Sequence, residues 1–238
     1  MSTNHLIPKN QPNDWLEVVT RECINEYPLY ILQNLPDGFS VVDCGCNVGG
    51  FFRALVTVLK NKRFSYIGID ASSYNLEQFG KNNPNVKPVL AALYHSEGEQ
   101  IKLKRFLDSE GNDTVSGNFG ICDWKAENGA GWDDSEYELV NSLTLETIVD
   151  NFSQGYIDFL KVDIEGAEYD FLMNKDLSKI DYITIEIHTF LGEKQKELID
   201  WIKNTHVELI SKYDGVHTNF IKTFKNKDNE FGSKRGLE

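Results

Sequence analysis

The sequence lacks any uninterrupted apolar run that approaches the roughly 20 residues of a membrane-spanning helix. Its first 14 residues are polar and contain two prolines, so they lack the apolar core of a secretory signal peptide. These absences predict a protein without membrane contacts and with a cytoplasmic location.

Cysteine is scarce. The chain of 238 residues has four cysteines, which do not form the dense pattern of a disulfide framework. Cys44 and Cys46 make a C-x-C pair, with no second pair and no histidine cluster at zinc spacing. We therefore expect structural thiols in a reducing compartment and no metal site built on cysteine.

Basic residues are also few, since 24 lysines and arginines stand against 37 acidic residues and the net charge is −13. A nucleic-acid-binding protein needs a basic face, and a single-strand binder adds aromatic residues between the basic ones. Neither pattern is present, so we expect no nucleic-acid partner.

What the sequence does contain is a regular alternation of short apolar strands with helical stretches, which is typical of a mostly parallel sheet. We divide the chain into a helical extension over 1–39, one main domain over 40–228, and a tail over 229–238. The extension carries helical spacing over 14–35, broken by Pro28, and is expected to cover one side of a ligand pocket.

Within the main domain the pattern predicts helices over 49–60 and 193–204. The predicted strands are 40–44, 65–70, 88–94, 100–106, 157–163, 180–188, 207–213 and 217–224. Residues 107–136 are rich in Gly, Asn, Asp and Ser, so we interpret them as a long substrate-facing loop.

A glycine turn follows the first strand and contains Asp43, Gly45, Asn47 and Gly49. The next strand ends in Asp70. Ligands of open α/β sheets bind at the carboxyl ends of strands, and a carboxylate placed there can accept hydrogen bonds from ribose hydroxyls. The sequence thus predicts the first half of a nucleotide-type crevice.

This turn lacks one glycine of the G-x-G-x-x-G fingerprint, because Asn47 stands at the second position. The pocket is therefore expected to bind adenosine without a pyrophosphate, and S-adenosylmethionine fits that description. Ile69 and Leu93 are candidates to enclose the adenine ring. A nicotinamide-dependent oxidoreductase is the alternative enzyme class.

A second group of polar residues surrounds the ends of two later strands, and its members are Asp163, Glu165, Glu168, Glu186 and His188. Lys161 lies in the middle of an apolar strand, so it should have an acidic partner. Three interpretations stay open: a buried ion-pair network, a general base for proton removal, or acids that hold a divalent cation.

Two runs of the sequence resemble the FkbM-type family of S-adenosylmethionine-dependent methyltransferases. The turn over 43–50 resembles the family's D-x-G-x-N-x-G motif, and residues 161–168, K-V-D-I-E-G-A-E, resemble its later acidic run. Residues 142–146 and 116–120 add weaker matches, and the resemblance covers roughly 40–225. The chain departs from the family at Cys44 and Cys46, and in having Asp70 where glutamate is common.

The resemblance implies a Rossmann-like class I methyltransferase fold, with a mostly parallel seven-stranded sheet that ends in a C-terminal antiparallel hairpin. The implied strand order is 3-2-1-4-5-7-6. It also implies an O-methyltransferase that acts on a hydroxyl of a sugar, glycan or small metabolite, with S-adenosylmethionine as cofactor. A catalytically silent cofactor-binding protein of the same fold is the other alternative.

The expected site residues fall into two groups. The cofactor-binding group includes Asp43 as an acceptor for the methionine ammonium and Asp70 as the ribose acceptor, and its full membership is Asp43, Gly45, Asn47, Gly49, Asp70, Ala71 and Asn118. The catalytic candidates are Asp163, Glu165 and His188. His188 is the favoured base, because an unperturbed histidine titrates near neutral pH.

Overall fold

The fold is seen in a computed structural model that describes residues 13–108, 110, 119–121, 131–153, 155–188, 191–213 and 219–228. The described strands are β1 (Phe39–Cys44), β2 (Phe64–Asp70), β3 (Val89–Leu90), β4 (Ala92–Leu93), β5 (Gln100–Leu107), β6 (Phe119–Gly120), β7 (Gly131–Leu143), β8 (Ile157–Val162), β9 (Ile180–Ile187), β10 (His206–Tyr213) and β11 (Phe220–Asn226). The described α-helices are α1 (Trp15–Glu26), α2 (Gly50–Leu59), α3 (Ser73–Asn82), α4 (Leu145–Phe152), α5 (Glu168–Leu172) and α6 (Glu193–Thr205).

The central sheet has seven strands in the order β3-β2-β1-β8-β9-β11-β10. The five neighbouring strands β3, β2, β1, β8 and β9 pair in parallel. Strand β11 runs antiparallel to both β9 and β10. This arrangement confirms the predicted fold class and strand order, including the C-terminal antiparallel hairpin.

Helices cover both faces of this sheet, and strand alternation assigns each residue to one face. Val41 and Phe159 point to a core formed with α1, α2 and a 3₁₀ helix over Leu29–Asn34. The next residues along each strand, Val42 and Leu160, point to the opposite core, formed with α4, α5 and α6. The middle strand β8 is buried at every position, as expected for a parallel strand with layers on both sides.

Side-chain caps mark the starts of two helices. The Ser72 side chain accepts a hydrogen bond from the Asn75 amide at 3.2 Å and so caps α3. The Thr144 hydroxyl does the same for α4. Pro28 separates α1 from the 3₁₀ helix, as predicted.

A second sheet, in the order β4-β7-β5-β6, corrects two predictions. Residues 131–136, which we interpreted as loop, belong to β7, a strand of 13 residues that pairs antiparallel with β5. The predicted strand over 88–94 is divided, since β3 joins the central sheet and β4 joins the second one. The segments 111–118 and 122–130 of the predicted loop lie outside the described residues.

The alternation of β7 explains why its sequence did not indicate a strand. Its exposed side chains include Tyr137 and Leu139, which are 40% and 54% exposed, while Glu138 between them is buried. The Ser73 hydroxyl donates to the Glu138 carboxylate at 3.1 Å. Around Glu138 the polar and apolar positions are thus reversed relative to the usual pattern, whereas Trp132 and Val140 of the same strand are buried.

Within the described ranges, no helix is long and apolar enough to cross a membrane.

A buried ion pair connects the two central strands. Lys161 of β8 is 3% exposed, and its Nζ lies 3.2 Å from Asp43 Oδ1 and 3.4 Å from Asp163 Oδ2. It also donates to the Gly45 carbonyl at 2.8 Å. Burial by itself lowers the pKa of this ammonium, but the two carboxylates raise it well above its ordinary value. The expectation of an acidic partner for Lys161 is therefore confirmed.

We expect Lys161→Met to lower the free energy of unfolding by about 3–5 kcal/mol, because it leaves the fully buried Asp43 carboxylate without its cation. Urea unfolding measures this. The matched control is Lys179→Met, whose half-exposed ammonium lies 3.7 Å from Asp150 and should contribute under about 1 kcal/mol. Equal effects of the two substitutions would contradict a stabilising role for the buried pair.

The second sheet yields another test. Trp132 of β7 is 1% exposed and packs edge-on against Phe106, so Trp132→Ala should destabilise the protein by about 3–5 kcal/mol. Leu139→Ala, on the same strand but facing solvent, should change stability by less than about 0.5 kcal/mol. A negligible effect at Trp132 in urea unfolding would instead support the loop interpretation.

Candidate active site

A cavity opens at the carboxyl ends of β1, β2 and β8, and it holds about 790 Å³ of empty space including its mouth. Its wall brings together residues far apart in sequence: Gly45, Asn47, Asp70 and Ala71 from the first half of the sheet, and Asp163 from the second. This is the position that open α/β sheets use for ligands.

The glycine turn forms the floor of this cavity, and its backbone requires glycine at Gly45. The φ angle there is +78°, and a Cβ atom would lie 1.7 Å from the Asp163 carbonyl oxygen. Asn47 also adopts a left-handed backbone, with φ of +48°. Gly49 immediately precedes α2, and a Cβ there would meet Phe79 and Asn83; this glycine does not line the cavity.

Asp70 connects the turn to the next helix. Its carboxylate accepts hydrogen bonds from the Asn47 and Ser72 backbone amides, each at 2.8 Å, and from the Asn75 side chain at 3.5 Å. Burial raises the pKa of Asp70 to about 6, although the bonds from Ser72 and Asn47 lower it. Each carboxylate oxygen has two lone pairs, so capacity remains for a ligand. The ribose role of Asp70 stays a prediction.

Asp43 has a different environment from the one predicted. It is fully buried behind the wall, accepts a hydrogen bond from the Tyr66 hydroxyl, and pairs with Lys161. Burial raises the pKa of Asp43, and Lys161 opposes that increase. The observed partners of this carboxylate are protein groups, and binding of a ligand ammonium stays a prediction.

One side of the cavity is apolar. Ile69 and Leu93, the predicted neighbours of the adenine ring, both lie on the wall. The second sheet adds Leu103 and Ile121, which sequence reasoning missed because that sheet was not expected. Asn118, a predicted cofactor-binding residue, lies outside the described residues.

Helix α1 covers another side, as expected of the N-terminal extension. Val19 and Cys23 line the cavity, and the Trp15 indole donates to the Asn47 side chain at 3.4 Å. Burial raises the pKa of the Cys23 thiol well above its ordinary value, so this thiol stays protonated and unreactive.

The acidic residues form a cluster at the β8 end of the cavity. Asp163 and Glu165 line the wall, and the Tyr27 hydroxyl donates to Asp163 Oδ2 at 3.1 Å. Potential ligand atoms of Asp163, Glu186 and His188 all lie within 4.8 Å of one another. Strand alternation correctly placed these side chains together.

His188 lies between two carboxylates. Its Nδ1 donates to Glu168 at 2.9 Å, and its Nε2 lies 3.4 Å from a Glu165 oxygen. Burial lowers the pKa of this imidazole, but Glu168 and Glu165 raise it well above the ordinary value. His188 does not line the cavity, and its role as the base stays a prediction. Because both nitrogens face carboxylates, the arrangement is a hydrogen-bonded cluster, and the divalent-cation hypothesis stays open.

Glu186 behaves differently from its neighbours. It accepts a hydrogen bond from the Asn219 side chain at 2.8 Å. Burial, together with the nearby Asp163 charge, raises the pKa of Glu186 to about 8. The site therefore contains a carboxyl group that holds its proton at neutral pH.

Several solved structures are similar to this chain in fold. The chain superposes on the FkbM methyltransferase of Methylobacillus flagellatus KT with a TM-score of 0.53 and 16% identity, over 89% of this chain and 50% of that one. It superposes on the fibrillarin/Nop5p complex with a TM-score of 0.50 and 10% identity, over 88% and 83% of the respective chains. For M. capricolum TrmK in complex with S-adenosyl-homocysteine, the values are 0.48 and 13%, over 85% and 69%.

These likenesses show the fold alone, and the chain spans half the length of the Methylobacillus protein. No curated protein matches the chain in sequence. The evidence for the family comes from the sequence itself. Residues 43–214, which are most of the chain, match the family model described as Methyltransferase FkbM domain. The chain therefore belongs to the FkbM family of S-adenosylmethionine-dependent methyltransferases.

Proposed function

We propose that the protein transfers a methyl group to a hydroxyl oxygen of a sugar, glycan or small metabolite. The observation that carries this proposal is that one cavity is lined by Asp70 and Ala71 at one end and by the Asp163 and Glu165 carboxylates at the other. A hydroxyl acceptor must lose its proton, and carboxylates on the wall can receive it.

The residues on the wall fit S-adenosylmethionine. Ile69 and Leu93 provide apolar surface for an adenine ring, and Asp70 provides acceptors for ribose hydroxyls. The Asn47 amide, which a dinucleotide fold would direct to a phosphate, instead donates to Asp70. This use of the turn favours a ligand without a pyrophosphate and argues against the nicotinamide-dependent alternative.

When bound, this cofactor would supply an activated methyl group for attack by the acceptor oxygen, and the electron pair of the broken carbon–sulfur bond would remain on sulfur. The protein's task is to align the acceptor with that methyl group, since well-oriented groups reach effective molarities of about 10⁵–10⁸ M. The acceptor proton passes to a carboxylate oxygen of the chain.

Two carboxylates can receive that proton. Asp163 contacts Lys161 and accepts a hydrogen bond from the Tyr27 hydroxyl, whereas Glu165 contacts His188 from the cavity side. A positioned base contributes roughly 10²–10⁴-fold to the rate of such a reaction. The catalytically silent alternative would not need two carboxylates on the cavity wall.

Binding of S-adenosylhomocysteine tests the cofactor site. We expect Asp70→Ala to weaken it at least about a hundredfold, because two hydrogen bonds to a charged acceptor are lost, each worth about 1.5–3 kcal/mol. Calorimetric titration measures this. Asp37→Ala, which removes an exposed carboxylate paired with Arg63, should leave the affinity unchanged. Unchanged affinity in Asp70→Ala would refute the assigned role.

Product analysis tests the reaction. We expect a panel of glycans and hydroxylated metabolites, incubated with methyl-labelled cofactor, to yield a methyl ether that resists mild alkali, unlike a methyl ester. Glu165→Gln or Asp163→Asn, whichever removes the base, should lower kcat by about 10²–10⁴-fold, with cofactor affinity kept. Asp150→Asn, at an exposed site on α4, is the control. Cofactor binding without product across the panel would favour the silent alternative.

A further inference from the structure

We infer that Glu168 is a positioning residue: it fixes His188 as a hydrogen-bond donor from both ring nitrogens, so that His188 holds the Glu165 carboxylate at the cavity. This inference rests on the proposed function, because it gives Glu168 and His188 a role in holding a carboxylate that the proposed reaction uses.

The Glu168 side chain is fully buried at the start of α5, yet it has three donors around one oxygen. Glu168 Oε1 accepts from His188 Nδ1 at 2.9 Å, from the Gly166 amide at 3.1 Å and from the Ile164 amide at 3.3 Å. Burial of an ionised carboxylate is costly unless a cation and hydrogen bonds compensate it. A protonated His188 supplies that compensation and holds the ring in one orientation.

The opposite edge of the ring faces the cavity. His188 Nε2 lies 3.4 Å from Glu165 Oε2, and Glu165 also lines the cavity wall. The backbone supports this position, since Glu165 and Gly166 both adopt left-handed conformations, with φ of +53° and +97°. A non-glycine residue rarely adopts this conformation, and such residues concentrate at functional sites.

Carboxyl groups surround His188 from several described elements. Glu168 belongs to α5, Glu165 to the loop before it and Asp163 to the end of β8, whereas Glu186, at the end of β9 just before the histidine, has a pKa of about 8 and holds its proton at neutral pH. Lys161, the nearby cation, is paired with Asp43 and Asp163. Opposite charges at this distance favour the protonated ring. His188 thus acts through Glu165 and does not itself take the acceptor proton.

Side-chain ¹⁵N NMR of the full chain tests the inference without an acceptor substrate. We expect both ring nitrogens of His188 to be protonated at neutral pH. Glu168→Gln keeps an acceptor oxygen for the two amides but removes the charge, and it should move the His188 titration midpoint down by at least about one pH unit. Glu165→Gln should move it less, since that contact is longer and Glu165 is more exposed.

His206 provides an internal control in the same spectra. Burial lowers the pKa of His206 to about 4, and its Nε2 contacts the Ile180 carbonyl at 3.0 Å, far from the acidic cluster along β9. Its signals should be identical in the parent and in both variants. A change at His206 would show that a variant has misfolded. The protonation state of His188 in the parent protein would then decide whether the inference holds.

A neutral His188 ring in the parent protein at neutral pH would overturn the inference, as would an unchanged titration in a folded Glu168→Gln variant. S-adenosylhomocysteine affinity should stay within about twofold in this variant, because Glu168 and His188 do not line the cavity. With an acceptor in hand, Glu168→Gln should lower kcat and leave the KM for the cofactor unchanged. A parent protein that binds no S-adenosylhomocysteine would instead refute the proposed function.

Discussion

The Lys161 ammonium is the interaction on which the rest of the site depends. It is buried in the middle strand of the sheet, and it reaches Asp43 on β1, the carbonyl of Gly45 in the turn, and Asp163 at the end of its own strand. Removing one partner of such a buried ion pair lowers the free energy of unfolding far more than removing one partner of an exposed ion pair. The lysine therefore holds the turn and the end of β8 together, and the cavity opens beside this junction.

Each buried cation of the site lies between two carboxylates. Lys161 pairs with Asp43 and Asp163, and His188 contacts Glu165 and Glu168. In each pair one carboxylate is fully buried and the other lines the cavity. Lys161 and His188 thus hold the acids of the wall from behind. They orient these carboxylates while the cations themselves stay buried. A wall of this kind suits a reaction in which a hydroxyl proton must leave and a positively charged donor must bind.

Much of the fold could be predicted, because apolar strands that end in carboxylates mark the parallel core, and the family resemblance supplied their order. The second sheet could not. Over residues 137–139 of β7, Glu138 is buried while Tyr137 and Leu139 are exposed, so the alternation of hydrophobicity is reversed there. The pattern is reversed because Glu138 has a hydrogen-bonded partner, Ser73, from another part of the chain, which sequence alone does not reveal.

The sequence by itself determined which carboxylates stand at strand ends, since a period of two residues assigns each side chain to a face. It also determined that Lys161 needs a partner, because an unpaired buried cation is too costly. Only the tertiary structure decided which charged side chains form ion pairs with each other. Asp43 pairs with a lysine 118 positions away, and both nitrogens of His188 lie beside acids, and neither pairing could be predicted from position in the sequence. The reason is physical: pairing depends on strand register and on side-chain packing between distant segments, and these set whether a titratable group faces the cavity or its neighbours.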